Sequence, residues 1–128
     1  MISNIGPLER KILNVLWVKQ YVTARDICTS LEDSGERRAY STVRTIINRL
    51  VQKKIIAQHE NEVDRQYYYS PIMTKEELEN SIINRVIGDL LNRFGQSTIN
   101  YLAEELSDNP EEINKLKKKL KEMKRNAD

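Results

Sequence analysis

Apolar residues recur three and four positions apart from Leu8 to Leu16, at Leu8, Ile12, Val15 and Leu16. That spacing predicts an amphipathic helix reaching about Lys19, with Pro7 suited to its first turn. Trp17 is read as core near the end of this helix. In "YVTARDICTSLEDSG" the face Ala24, Ile27, Cys28 and Leu31 predicts a second, short helix ending at Gly35. Thr23 is its N-cap, with Asp26 three residues on imitating a capping box. A third helix is predicted from Ser41, read as its cap, with the apolar stripe Val43, Ile46, Ile47 and Leu50. The pattern then changes period. Residues 55–59 and 66–70 read as two strands, joined by the polar turn "ENEVDR" and stopped by Pro71.

Beyond Pro71 the helical period returns. Thr74 and Glu77 form a capping box ahead of a long helix to about Phe94. Its apolar face is wide, running through Leu78, Ile82, Ile83, Val86, Ile87, Leu90, Leu91 and Phe94. Gly95 breaks it, and "STINYLAEEL" starts the next. The last helix opens with Asn109 as N-cap, Pro110 at its first position and Glu111 and Glu112 near the positive dipole end. Its Ile113, Leu116, Leu120 and Met123 follow an a/d seam. Three such helices of about 55 residues make a marginal isolated core, so two chains are expected to share one. Ile83, Ile87, Leu91, Ile113, Leu116 and Leu120 are the expected dimerisation residues. The expected architecture is therefore mainly α with a small β-hairpin. Residues 1–71 form a winged helix-turn-helix, and residues 72–128 form a three-helix dimerisation region.

Composition narrows the function. No apolar run in the 128 residues approaches a membrane span. Glu9 precedes any apolar stretch, so the first residues are not read as a signal peptide. The lone Cys28 fits a reducing cytoplasm and is read as a small buried hydrophobe. With one cysteine and one histidine, His59, there is no metal constellation. No nucleophile–base pair or glycine-rich phosphate loop stands out, so neither an enzyme nor a cofactor is expected. Charge does stand out. Net charge is only +2, yet the window Arg37 to His59 holds Arg37, Arg38, Arg44, Arg49, Lys53 and Lys54 and no acid.

That window contains the third helix. At ~100° per residue, Ser41, Thr45, Asn48 and Gln52 lie opposite the apolar stripe, flanked by Arg44 and Arg49, with Thr42 near the N-terminal edge. Small polar groups at the centre permit close approach, and arginines at the margins seek negative charge. The B-DNA major groove offers bases between two banks of phosphates, which suits such a face. Ser41 and Thr42 are candidate phosphate holders at the helix start. The hairpin is expected to touch backbone through Arg65, since Glu60, Glu62 and Asp64 oppose deep insertion. The lysine-rich last helix is read as solvated charge.

The segments "LERKILNVLW", "YSTVRTIINRL", "VQKKII" and "QYYYSP" together resemble the BlaI/MecI/CopY, or penicillinase-repressor, family of bacterial winged-helix transcription repressors, over nearly the whole chain. The resemblance implies a homodimeric repressor of a dyad-symmetric operator in double-stranded DNA. Thr42, Arg44, Thr45 and Arg49 match the family's recognition-helix positions. Lys54 stands where the family usually has glycine before the wing strand, which puts the shape of that turn in question. The chain lacks the C-terminal Cys-X-Cys motifs of the copper-responsive branch. The β-lactam-responsive branch is cut by a protease at an Asn-Phe bond, and the aligned Asn100-Tyr101 bond is the candidate counterpart. The competing expectation there is a surface Asn100 and a Tyr101 packed against a neighbour. Two other readings stay open: a winged-helix protein-interaction module, and a ligand-responsive winged-helix regulator of another family.

Overall fold

The computed structural model describes residues 5–127, with side chains described through Lys124. The element order is α1 (Pro7–Lys19), α2 (Ala24–Asp33), α3 (Tyr40–Gln52), β1 (Ile56–Glu60), β2 (Tyr67–Pro71), α4 (Lys75–Phe94), α5 (Gln96–Leu106) and α6 (Pro110–Ala127). This is the mainly α architecture with a hairpin wing that the periodicities predict. The chain divides into two compact units, Met1–Asn80 and Ser81–Asp128. No described helix is long and apolar enough to cross a membrane.

In the first unit, each helix turns its apolar stripe into a shared core. Ile12, Leu13 and Leu16 of α1, Ile27 and Leu31 of α2, and Val43, Ile47 and Leu50 of α3 are all essentially inaccessible. Ile55, Ile56 and Tyr69 close that core from the hairpin. Each such side chain contributes roughly 1.5–3 kcal/mol of burial. Trp17 is half-buried, and its Nε1 donates to the Met73 carbonyl at 2.9 Å, tying α1 to the segment after β2.

The expected caps form around α2 and ahead of α4. The Asp26 amide donates to Thr23 Oγ1 and the Thr23 amide to Asp26 Oδ2, both at 3.1 Å. The Glu77 amide and Thr74 Oγ1 make the same reciprocal pair with the Thr74 amide and Glu77 Oε1, at 3.0 Å each. The expected cap at α3 does not form. Ala39 is the N-cap, with no side-chain bond, and α3 begins at Tyr40. Ser41 lies one residue inside, where its carbonyl accepts from Thr45 Oγ1 at 2.9 Å. Extended backbone at Ala39 sets this start, ahead of the residue with the better capping side chain.

α3 ends in a Schellman turn. The Ile55 amide donates to Leu50 O at 3.1 Å and the Lys54 amide to Val51 O at 3.0 Å. The residue between Lys53 and Ile55 must be left-handed for this, and Lys54 is, with φ 63°. The turn thus keeps the shape a glycine would give it. Leu50 and Ile55, at the positions of the apolar pair that accompanies the motif, are both fully buried.

The strands pair antiparallel, with Gln58 opposite Tyr69 and His59 opposite Tyr68. The sequence reading missed a third edge. Val22 bridges Tyr69 through its amide to Tyr69 O at 3.1 Å and from the Tyr69 amide to Val22 O at 2.7 Å. One residue of pairing carries no period-2 signature. The hairpin tip is organised by Asn61, whose Oδ1 accepts from the Val63 amide at 2.9 Å and whose carbonyl accepts from the Arg65 amide at 2.8 Å. Arg65 takes the left-handed position, φ 63°, that a short loop of this kind requires.

In the second unit, Leu91, Ile99 and Leu120 form a small core joined by the half-buried Ile87, Leu102 and Met123. Gly95, at φ 51°, makes the α4–α5 turn. The buried Thr98 donates through Oγ1 to Leu90 O at 3.1 Å, which accounts for its polar group. Asn109 Oδ1 accepts from the Glu111 amide at 2.8 Å and caps α6 as expected.

Candidate nucleic-acid interface

The stripe that buries Val43, Ile47 and Leu50 turns the opposite side of α3 to solvent. Ser41, Thr42, Thr45, Asn48, Arg49 and Gln52 are exposed there, as is Arg65 on the hairpin. Of the seven residues the sequence nominates, six are therefore accessible. Arg44 differs. It is half-buried at the seam between α3 and the hairpin, where its Nη1 donates to Tyr69 Oη at 3.2 Å.

The basic window is not uniformly free. Lys53 lies 3.6 Å from Glu9, and Arg38 lies 3.2 Å from Glu36, which also takes Lys11 at 2.7 Å. The Lys11 hydrogen bond, with help from Arg38, holds the Glu36 carboxyl below its usual range. Among the described residues Arg37, Arg49 and Lys54 have no ion-pair partner. A shallow cavity of about 370 Å³ opens between α2 and the start of α3, lined by Arg25, Arg37, Arg38, Glu32, Cys28 and Tyr40. The Arg25 guanidinium lies 4.8 Å over the Tyr40 ring, a cation–π contact that fixes it beside the start of α3. Cys28 is half-buried rather than the buried small hydrophobe expected. Burial still pushes its thiol pKa up, against the pull of Arg25, so it is a poor nucleophile.

The hairpin presents two unlike faces. On one, Tyr21 stacks on Tyr68 with centroids 4.6 Å apart and lies 5.8 Å from the His59 ring. His59 Nε2 hydrogen-bonds Ser70 Oγ at 2.7 Å, so His59 is a surface residue with a structural partner. Tyr68 donates to Asp64 Oδ2 at 2.6 Å. That bond holds Asp64 below its usual carboxylate range and lifts the Tyr68 phenol. On the other face, the fully buried Tyr69 accepts from Arg44 and donates to Gln58 Oε1 at 3.2 Å. Burial raises the Tyr69 pKa, and Arg44 opposes the rise. Sequence reasoning missed this Arg44–Tyr69–Gln58 link. Strand alternation in "YYYSP" already separates Tyr68 from Tyr67 and Tyr69, but the partner of Tyr69 depends on the strand register.

The penicillinase repressor model matches residues 5–122. The chain belongs to the penicillinase repressor family. Among this family's curated members, the transcriptional regulator BlaI of Mycobacterium tuberculosis (strain CDC 1551 / Oshkosh) is 31% identical over 78 residues, 60% of this chain and 54% of BlaI. The methicillin resistance regulatory protein MecI of Mammaliicoccus sciuri is 33% identical over 66 residues, 50% of this chain and 51% of MecI. The chain thus spans about half the length of the curated relatives it matches.

For this penicillinase repressor family chain, the second unit separates the nominated dimerisation residues by burial. Leu91 and Leu120 are buried in the chain's own core, with Ile87 packed against it. Ile113 and Leu116 are half-buried, whereas Ile83 is 53% exposed. Other large apolar residues are also exposed: Val86, Leu90 and Phe94 on α4, and Tyr101 and Leu106 on α5. Asn100 and Tyr101 lie in the middle of α5. Asn100 Oδ1 accepts from Gln96 Nε2 at 3.0 Å. Tyr101, at 65% exposure, has no neighbour among the described residues that buries it.

Proposed function

We propose that the chain is a transcriptional repressor that binds a dyad-symmetric operator in double-stranded DNA as a homodimer. Residues 1–71 would bind DNA and residues 72–128 would dimerise. The observation that carries this reading is the exposed face of α3. It pairs small polar groups with Arg49, which has no ion-pair partner among the described residues, on a helix whose reverse side is locked into the core. A helix so presented fits the major groove, with Thr and Asn side chains at base edges and Arg at bases or phosphates. Ser41, Thr42, Arg44, Thr45, Asn48, Arg49 and Arg65 are the proposed contacts.

The exposed Ile83, Val86, Leu90, Phe94 and Tyr101 support dimerisation, since large apolar groups left in water mark association surfaces. Leu91 and Leu120 would then support the interface from beneath. Cleavage between Asn100 and Tyr101 would inactivate the protein by removing α6 from this core. A protease would first have to open α5, because it needs an extended chain. The named relatives are regulators, and no catalytic role is proposed for this chain.

The test is a titration of the purified protein against the DNA upstream of its own gene, at two salt concentrations and with random-sequence competitor. Tight binding that weakens steeply with salt supports the reading, because counterion release scales with the phosphates neutralised. Weak binding indifferent to sequence would favour a protein-interaction module.

A further inference from the structure

The two arginines flanking the α3 face are held very differently. Arg49 is exposed and has no ion-pair partner among the described residues. Arg44 is half-buried and bonded to the phenol of Tyr69, which is fully enclosed and whose backbone is bonded to Val22 in both directions. The direction of the link is fixed by chemistry. A guanidinium only donates, so Tyr69 Oη accepts from Arg44 and must spend its single proton elsewhere. It donates to Gln58 Oε1, directly opposite on β1. The chain of bonds therefore runs one way, from α3 through β2 to β1.

We infer that Tyr69 and Gln58 are positioning residues that make Arg44 the guanine-reading arginine of the recognition helix. This rests on the DNA-binding reading. A guanidinium has five donors, and one bond to Tyr69 leaves its other Nη and Nε hydrogens for the groove. Bidentate recognition of guanine O6 and N7 needs the fork held in one plane. A free arginine loses side-chain entropy when so ordered, and one already bonded loses less. The uncharged phenol suits the task. A carboxylate in its place would neutralise the charge that attracts Arg44 to DNA, whereas Tyr69 orients the group and leaves the charge intact. Arg49, without such a support, is the phosphate contact. A buried Tyr69 explains packing alone. It does not explain why its hydroxyl bonds the one half-buried arginine of α3.

The test enriches duplexes with a randomised central segment on full-length wild type, Tyr69→Phe, Gln58→Ala and Arg44→Ala. Wild type is expected to select a dyad motif with guanine at one symmetry-related pair of positions, and Arg44→Ala to lose that guanine. Tyr69→Phe keeps the ring and removes the oxygen. It should lower selectivity at that pair by roughly tenfold, with other positions and the salt slope unchanged. Gln58→Ala alters an exposed residue and leaves the core intact, so it carries the test if Tyr69→Phe folds poorly. Its effect should be smaller and in the same direction.

An unchanged motif in both variants overturns the inference, as does equal weakening on all sequences. If wild type itself selects no motif, the DNA-binding reading fails and takes the inference with it. That outcome is separate from a wild-type motif that the variants preserve.

Discussion

Replacing Lys54 by glycine should stabilise the first unit. Lys54 sits at φ 63° because the Schellman turn from α3 into β1 needs a left-handed residue between Lys53 and Ile55. An L-residue with a Cβ pays about 1–2 kcal/mol for that conformation. Glycine avoids this cost, but it loses about 0.5–1 kcal/mol more backbone entropy on folding than alanine does. The two ranges leave a net gain of about 0–1.5 kcal/mol, with a midpoint near ~0.75 kcal/mol. In a unit of this size, 1 kcal/mol corresponds to a Tm change of about 4–8 °C, so the midpoint gain should raise Tm by roughly 3–6 °C. The assay is thermal unfolding by circular dichroism at fixed protein concentration for wild type, Lys54→Gly and Lys54→Ala. Alanine removes the same charge and keeps the Cβ, so it should melt within about 0.5 kcal/mol of wild type. A glycine variant melting at or below wild type would refute the strain argument. So would an alanine variant that gains as much as glycine, because charge removal would then be the cause.

Three further outcomes are expected. Arg49→Ala should weaken binding to operator and random DNA alike and reduce the salt slope by about 1, read by titration at several salt concentrations; loss confined to the operator would mean Arg49 reads a base. Phe94→Asp changes a residue 60% exposed in the single chain, so on the proposed homodimer sedimentation should show a monomer, with helicity by circular dichroism unchanged; an unchanged dimer mass would remove this face from the proposed interface. Lys11 holds the Glu36 carboxyl below its ordinary pKa, so its contribution is present at neutral pH and is lost as pH falls through the folded-state value. Glu36→Gln should therefore melt below wild type at pH 7, with the difference vanishing once the pH has fallen below the folded-state value, where the carboxyl is protonated in both states.

The helices were legible because each carries its own local instructions. Thr23 with Asp26, Thr74 with Glu77, and Asn109 before Pro110 place starts by bonds that span a few residues. Ser41 misled for the same reason. It has the right side chain for a cap, but the backbone turns helical one residue earlier, at Tyr40. A preference worth about 1 kcal/mol yields to the packing of Val43, Ile47 and Leu50. The turn at Lys54 was legible only as a departure from the glycine usual there. Its left-handed geometry is imposed by Leu50 and Ile55, which must be buried together on either side of it.

The candidate site divides in the same way. The sequence alone determined that α3 has a small polar face bordered by arginines, because helical period and residue identity fix which side chains share a side. It also determined that the chain after Pro71 carries more apolar face than its own helices cover. Only the tertiary structure decided which arginine is tethered, since Arg44 meets Tyr69 across 25 positions of sequence and strand register sets what stands beside it. The same holds for Leu91 and Leu120, buried within one chain, and Ile83 and Phe94, left in water. An amphipathic pattern states that a face must be covered. Which neighbour covers it follows from how the elements pack, and that depends on all of them at once.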